Sequence, residues 1–303
     1  MTSAPTARSR DRWSRLSLVA ASVLALAGFA WPLVAAAVPS DARAAVPFVA
    51  LALVPAVAIA IALGLDRQVH TATTVALLGV LAAVGAAIRI AGTGVGGLEA
   101  VFIILILAGR AYGARFGFLL GMLAIALSSV LWGGIGPWTP FQAFACGWVA
   151  AGAGLLPRMT LRSPRATRIL ELLLLVAYGV VSSYAFGLIM NLWFWPFAVG
   201  SGIDISYAPG APLGQNLASF GLYSLLTSTL TWDTVRAITT AAGILVVGPA
   251  ALAALRRARI GRARTRITPR STGPRGGGTR TRRWTARGAA AAPPTAPRPS
   301  ARA

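Results

Sequence analysis

Few residues in this chain could do chemistry. Among 303 residues there are seven acidic side chains, one histidine and one cysteine. Cys146 sits inside an apolar run and His70 at the edge of one, so neither a disulfide framework nor a thiolate cluster can form. No metal set, paired carboxylates, HExxH or GxxxxGK[ST] is present. All 28 basic residues are arginine, so there is no lysine to complete a phosphate-binding loop. Gly92, Gly94, Gly96 and Gly97 join two apolar runs rather than a strand to a helix, which removes a dinucleotide reading. Catalysis is therefore not expected, nor a cofactor or metal.

The polar residues that remain point to binding instead. Glu99 opens an apolar run after a glycine-rich linker, and Gln142 lies one turn into another. Asn191 and Trp193 close a third run, and Asp233 and Arg236 stand three apart at the start of a fourth. Trp132 and Trp138 flank the linker Gly133-Gly134-Ile135-Gly136-Pro137. Polar groups within spans are costly and mark sites. A few of them among aromatic walls would orient a solute. Glu99, Trp132, Trp138, Gln142, Asn191, Trp193, Asp233 and Arg236 are thus the substrate-binding candidates. Two blander readings stay open. The tryptophans could form an interfacial belt, and Asp233 and Arg236 could merely neutralise each other on one helical turn.

The elements that must position these residues are membrane helices. The composition is 56% hydrophobic and only 12% charged, about half the charge of an ordinary soluble domain. Apolar runs approach or exceed the ~20 residues needed to cross ~30 Å of hydrocarbon. They cover 16–38, 46–65, 71–90, 98–107, 116–131, 138–156, 169–195 and 217–255. The last is too long for one untilted span, so 217–231 reads as an interfacial or re-entrant piece and 233–255 as a helix capped by Asp233. Alternate linkers then hold Arg67; Arg110 and Arg115; Arg158, Arg162, Arg165 and Arg168; and Arg256 onward. The other side holds Arg43, Arg89 and Arg236. The positive-inside rule predicts eight spans with both termini cytoplasmic, in a bacterial cytoplasmic membrane.

On that orientation the binding candidates all lie toward the outer face, with Trp31, Trp132, Trp138, Trp193, Trp195 and Trp232. Residues 1–15 form a basic cytoplasmic N-terminus. The run 16–38 reads as a retained helix, with a cleaved signal as the competing reading. Residues 256–303 are rich in Arg, Gly, Pro and Ala and lack apolar periodicity, so a disordered cytoplasmic tail is expected. Anionic lipid is its expected partner; no nucleic-acid partner is expected.

From about Thr71 to Arg257 the sequence resembles the S components, the substrate-specific subunits of energy-coupling factor (ECF) vitamin transporters. The blocks that carry this are Leu107-Ala108-Gly109-Arg110-Ala111-Tyr112-Gly113-Ala114-Arg115-Phe116-Gly117-Phe118 and Gly133-Gly134-Ile135-Gly136-Pro137-Trp138-Thr139-Pro140-Phe141-Gln142. Asn191-Leu192-Trp193-Phe194-Trp195-Pro196 and Thr231-Trp232-Asp233-Thr234-Val235-Arg236 add to them. The resemblance implies an all-α integral membrane fold. A six-helix substrate-binding core at 71–255 would follow two additional transmembrane helices at 16–65. It implies a vitamin-like solute held near the outer face, with cobalamin or a precursor the first guess and a thiamin- or pantothenate-like solute the runner-up.

The resemblance further implies a transmembrane coupling subunit joined to two ATPase subunits, as in other ABC transporters. The first core helix would dock there through Ala72, Ala76, Ala83 and Ala87. The S component would then topple in the membrane to release its ligand inside. For these alanines, packing within the bundle is the alternative. For the chain as a whole the alternatives are a self-sufficient secondary transporter or a membrane-embedded enzyme.

Overall fold

The computed structural model describes residues 19–36, 45–54, 72–92, 100–200 and 202–264. Those residues are mostly helical, with no strand among them. In chain order the helices are α1 (Val19–Phe29), α2 (Trp31–Ala36) and α3 (46–54). Then come α4 (Ala72–Gly92), α5 (Val101–Tyr112), α6 (Ala114–Trp132), α7 (Thr139–Leu155) and α8 (Pro164–Ala198). α9 (Leu213–Ser224), a π-helical segment (Leu225–Asp233) and α10 (Thr234–Arg264) complete the fold. Residues 1–15, Glu99 and the tail from 265 on lie outside the described residues, as does the second half of the run 46–65.

Four helices are long and apolar enough to cross a membrane: α4, α6, α8 and the continuous stretch Leu213–Ala258. Much of their apolar surface faces outward. Val80, Val181, Leu230, Ile238 and Val246 are each more than 60% exposed. A water-soluble bundle would bury this surface, whereas lipid accepts it. Among the described residues the protein is all-α, with the long apolar helices of a membrane-embedded protein.

α5 is short because protein, not lipid, surrounds it. Nine of its twelve residues are buried, including Phe102, Leu105, Ile106 and Ala108. The tightest packing joins α6 to α7. A Cβ added at Gly109 or Gly117 would strike the carbonyl oxygen of Ala150, and one at Gly121 would strike that of Cys146. Lacking side chains, α5 and α6 approach the α7 backbone at contact distance, as small residues permit in lipid.

One end of the bundle gathers arginine. Arg110 on α5 is buried and donates from Nε to Glu171 Oε1 at 2.8 Å, and from its terminal nitrogens to the Leu156 and Pro157 carbonyls at 2.7 and 3.1 Å. Arg256 on α10 donates to the same Glu171 oxygen at 2.6 Å. Three helices are thereby tied together, and the carbonyls freed at the end of α7 are satisfied. Arg115, Arg158, Arg162, Arg165 and Arg168 flank the same helix ends. α10 continues to Arg264, past the expected start of the tail at 256.

The last apolar stretch differs from its expected division. α9, the π segment and α10 form one helix of 46 residues within Leu213–Ala258, about 70 Å long at 1.5 Å per residue. The pair Trp232-Asp233 does not interrupt it, and Asp233 is not an N-cap. Its carboxylate receives Ser228 Oγ and Arg236 rather than first-turn backbone N–H groups. A buried charge neutralised one turn away does not end a helix.

The first helices pack on the core. Phe29 is fully buried and meets Phe141 edge-on at 5.0 Å. Trp31 Nε1 donates to the Trp193 carbonyl at 2.9 Å, and Trp148 Nε1 to Ser22 Oγ at 3.0 Å. Tyr207, in the long loop after α8, donates to the Pro32 carbonyl at 3.0 Å. α1 and α2 thus cover an aromatic face of α7 and α8.

Candidate functional site

Polar chemistry is concentrated where α8 meets the π segment, toward the end opposite the arginine-rich one. Here Asp233 is fully buried and Arg236 nearly so. Arg236 donates to Asp233 Oδ1 at 2.7 Å and to the Ser183 carbonyl at 3.2 Å, while Ser228 Oγ donates to Asp233 Oδ2 at 2.9 Å. The guanidinium carbon lies 4.8 Å from the Phe186 ring centroid and 5.7 Å from that of Phe102. Those two rings meet edge-on at 5.2 Å. The cation is thus held by a carboxylate, a carbonyl and two aromatic faces, the combination a desolvated guanidinium requires. Gly187 makes room for it, since a Cβ there would overlap the Asp233 carboxylate.

A ladder of neutral groups runs alongside. Asn191 Nδ2 donates to Ser224 Oγ at 3.0 Å, and Ser224 lies 3.5 Å from Thr229 Oγ1. Two turns away on α8, Tyr184 shares a 3.0 Å hydrogen bond with Thr234 Oγ1. The hydroxyls also explain why the helix can widen here. Thr234 Oγ1 donates to the Thr229 carbonyl at 2.8 Å and Thr227 Oγ1 to that of Tyr223 at 2.7 Å. Side chains thus share the carbonyls whose backbone bonds the wide turn loosens. π turns inside α-helices recur at functional sites.

The eight candidates fall into separate places. Asn191, Asp233 and Arg236 come together between α8 and the π segment. Gln142, in the first turn of α7, accepts from Arg89 at 2.8 Å and makes no hydrogen bond to the ladder among the described residues. Trp193 is buried and stacks on Phe141, with centroids 4.4 Å apart and planes 8° off parallel. Trp132 and Trp138 are 60% and 44% exposed at the rim, and neither joins the ladder. Glu99 lies outside the described residues. Trp195 is fully buried, and its Nε1 donates to the Ile205 carbonyl at 2.7 Å. The tryptophans therefore divide between core and rim.

No family model, curated protein or solved structure matches the chain.

Ser224, Ser228, Thr229, Thr234, Tyr184 and Arg89 were absent from the candidate set. Their signal is nonetheless in the sequence: Ser224 to Thr234 carries six hydroxyl side chains within an apolar stretch. Such a density argues against a plain lipid-facing helix. Three buried polar atoms have no hydrogen-bond partner among the described residues: Ser129 Oγ, Trp193 Nε1 and Thr240 Oγ1. An unpaired buried donor costs about 1–3 kcal/mol, a cost that a bound polar group would offset.

A cavity of about 900 Å³ lies elsewhere, between α1, α6 and α7 at the arginine-rich end. Val19, Val23, Leu26 and Phe118 make its walls apolar, and Ser22 and Arg115 supply polar groups. It shares no residue with the ladder.

Proposed function

We propose that the chain is the substrate-capturing membrane subunit of an ECF-type importer, taking a vitamin or related micronutrient from the outer face while partner subunits hydrolyse ATP. The observation that carries this reading is the polar ladder with its buried ion pair, lying at the end away from the arginine cluster. Binding groups at that end suit capture from outside. On this reading α4 to α10 supply the six-helix core, α1 to α3 the two added spans, and the arginine-rich end faces the cytoplasm of a bacterial cell.

The face of α4 supports the partner assignment. Leu78, Leu81, Ala82, Gly85 and Ala86 are buried in the bundle. Ala72, Ala76, Ala83 and Ala87 are exposed, and no atom lies within 4 Å of a Cβ placed at Gly79. A stripe of small residues facing outward lets another helix approach closely, as docking onto a coupling subunit requires.

Isolation of the protein from its native membrane, with mass spectrometry of co-purifying proteins and metabolites, tests the reading. A coupling subunit, ATPases and a retained micronutrient are expected; recovery of none of these would overturn it. In the same preparation, Ala83→Trp is expected to reduce coupling-subunit recovery at least tenfold while retained solute stays unchanged. Asn191→Ala should do the converse, weakening solute retention about fivefold to tenfold through loss of one buried hydrogen bond. Its yield of folded protein should match the wild type.

A further inference from the structure

Two arginines sit toward the outer end of the described core, and their charges are met differently. Arg236 is buried against Asp233 and so is neutralised within the protein. Arg89, in the last turn of α4, is half-buried. One terminal nitrogen donates to Ser128 Oγ at 3.0 Å and the other to Gln142 Oε1 at 2.8 Å. Both acceptors are neutral, and among the described residues no carboxylate pairs with it.

The two acceptors hold the guanidinium without cancelling its charge. Ser128 is fully buried and donates onward to the Ile125 carbonyl at 3.0 Å, so its oxygen is fixed as an acceptor. Gln142 is placed by the first turn of α7, beside Phe141, whose ring stacks on Trp193. Three helices therefore fix one guanidinium plane. A guanidinium carries five N–H donors, and these contacts use two. The carbonyls at the end of α4 offset only part of a unit charge. An arginine is disfavoured on this side by the orientation rule.

We infer that Arg89, oriented by Ser128 and Gln142, anchors an oxyanion, carboxylate or phosphate, of the captured molecule. The solute class is then anionic, which favours an acid-bearing, pantothenate-like micronutrient over cobalamin. This inference rests on the capture reading above. A lipid headgroup phosphate offers the same chemistry, and the experiment separates the two sources.

The full-length protein, as wild type, Arg89→Gln and Arg89→Lys, is placed in phosphatidylcholine nanodiscs. Equilibrium dialysis then measures three acid–neutral pairs: pantothenate and panthenol, biotin and biotinamide, nicotinate and nicotinamide. The wild type should bind at least one acid about tenfold to a hundredfold more tightly than its neutral twin, the range expected of a charge-assisted hydrogen bond pair. Arg89→Gln should abolish that ratio and Arg89→Lys should retain part of it. An unchanged ratio in Arg89→Gln, or equal weakening of acid and twin, overturns the inference and leaves the capture reading standing. So does binding without preference for the acid.

The second arm uses phosphatidylglycerol nanodiscs and native mass spectrometry. If no acid binds but a phosphatidylglycerol adduct is present and Arg89→Gln removes it, the oxyanion belongs to lipid and the solute assignment is overturned. Absence of both acid binding and adduct overturns the anchor itself. Failure of the capture reading registers separately, as loss of the coupling subunits from the native-membrane preparation.

Discussion

Asp233→Asn is expected to destabilise the folded protein by roughly 3–5 kcal/mol, the usual consequence of leaving one member of a buried ion pair uncompensated. Asp233 is fully buried, and its two carboxylate oxygens receive Arg236 and Ser228. The amide keeps the shape but removes the charge that Arg236 is buried against. Neither Phe186 nor Phe102 can replace it, since a cation–π contact contributes about 2 kcal/mol when desolvated. Denaturant or thermal unfolding in a fixed detergent gives the measurement. The double substitution Asp233→Asn with Arg236→Gln should recover much of the loss, because two neutral partners cost far less to bury than one lone charge. If the double variant is as unstable as the sum of the singles, the pair is not the source. Ser228→Ala should have a smaller effect of about 1.5–3 kcal/mol, a single hydrogen bond to a charged group that keeps its main partner.

Gly121→Ala is expected to be a strongly damaging single-methyl change, at about 1–3 kcal/mol or more. The added carbon would meet the Cys146 carbonyl and the Gly147 nitrogen, both backbone atoms that cannot rotate away. α6 and α7 would have to separate, and the contacts of Phe118 with Phe144, 5.2 Å apart edge-on, would loosen with them. Gly109→Ala should behave alike, because its methyl would meet the Ala150 carbonyl. Gly79→Ala is the matched control. No atom lies near a Cβ there, and alanine is the better helix former by about 0.5–1 kcal/mol. Unfolding of the three variants side by side separates steric exclusion from helix propensity. Equal effects at Gly121 and Gly79 would remove the packing argument.

Both effects bear on the proposed capture of a solute. The arginine clasp at Glu171 ties α5, α8 and α10 together at one end of the bundle. The π segment places its hydroxyls at the other. α1 and α2 lie over the aromatic face of α7 and α8, so these helices are part of the structure around Trp193 rather than an external attachment. Any rocking of the whole bundle in the membrane would carry them with it through Trp31, Trp148 and Tyr207.

Much of the architecture was legible in the amino-acid sequence. Long apolar runs and the alternation of arginine between linkers prescribe a helical membrane protein, because hydrocarbon forces every backbone group to be satisfied inside a helix. Helix limits for α4, α6 and α7 follow the runs closely, since glycine, proline and charge punctuate them, whereas α8 begins at Pro164, five residues before its run, and takes in Arg165 and Arg168. The same local signals failed at Asp233. A charge read alone looks like a helix start, and only the fold brings Arg236, Ser228 and the Ser183 carbonyl around it. Likewise the sequence marked Gln142 but could not show that Arg89, far from it in the chain, meets it across two helices. Tryptophans near one end were visible as a set. Which of them are core, as Trp193 and Trp195, and which are rim, as Trp132 and Trp138, depends on how helices rotate about their axes. Hydropathy and charge placement are properties of single segments, and they determined the class of protein. Which polar groups share a site is a property of several segments packed together, and that only the tertiary structure decided.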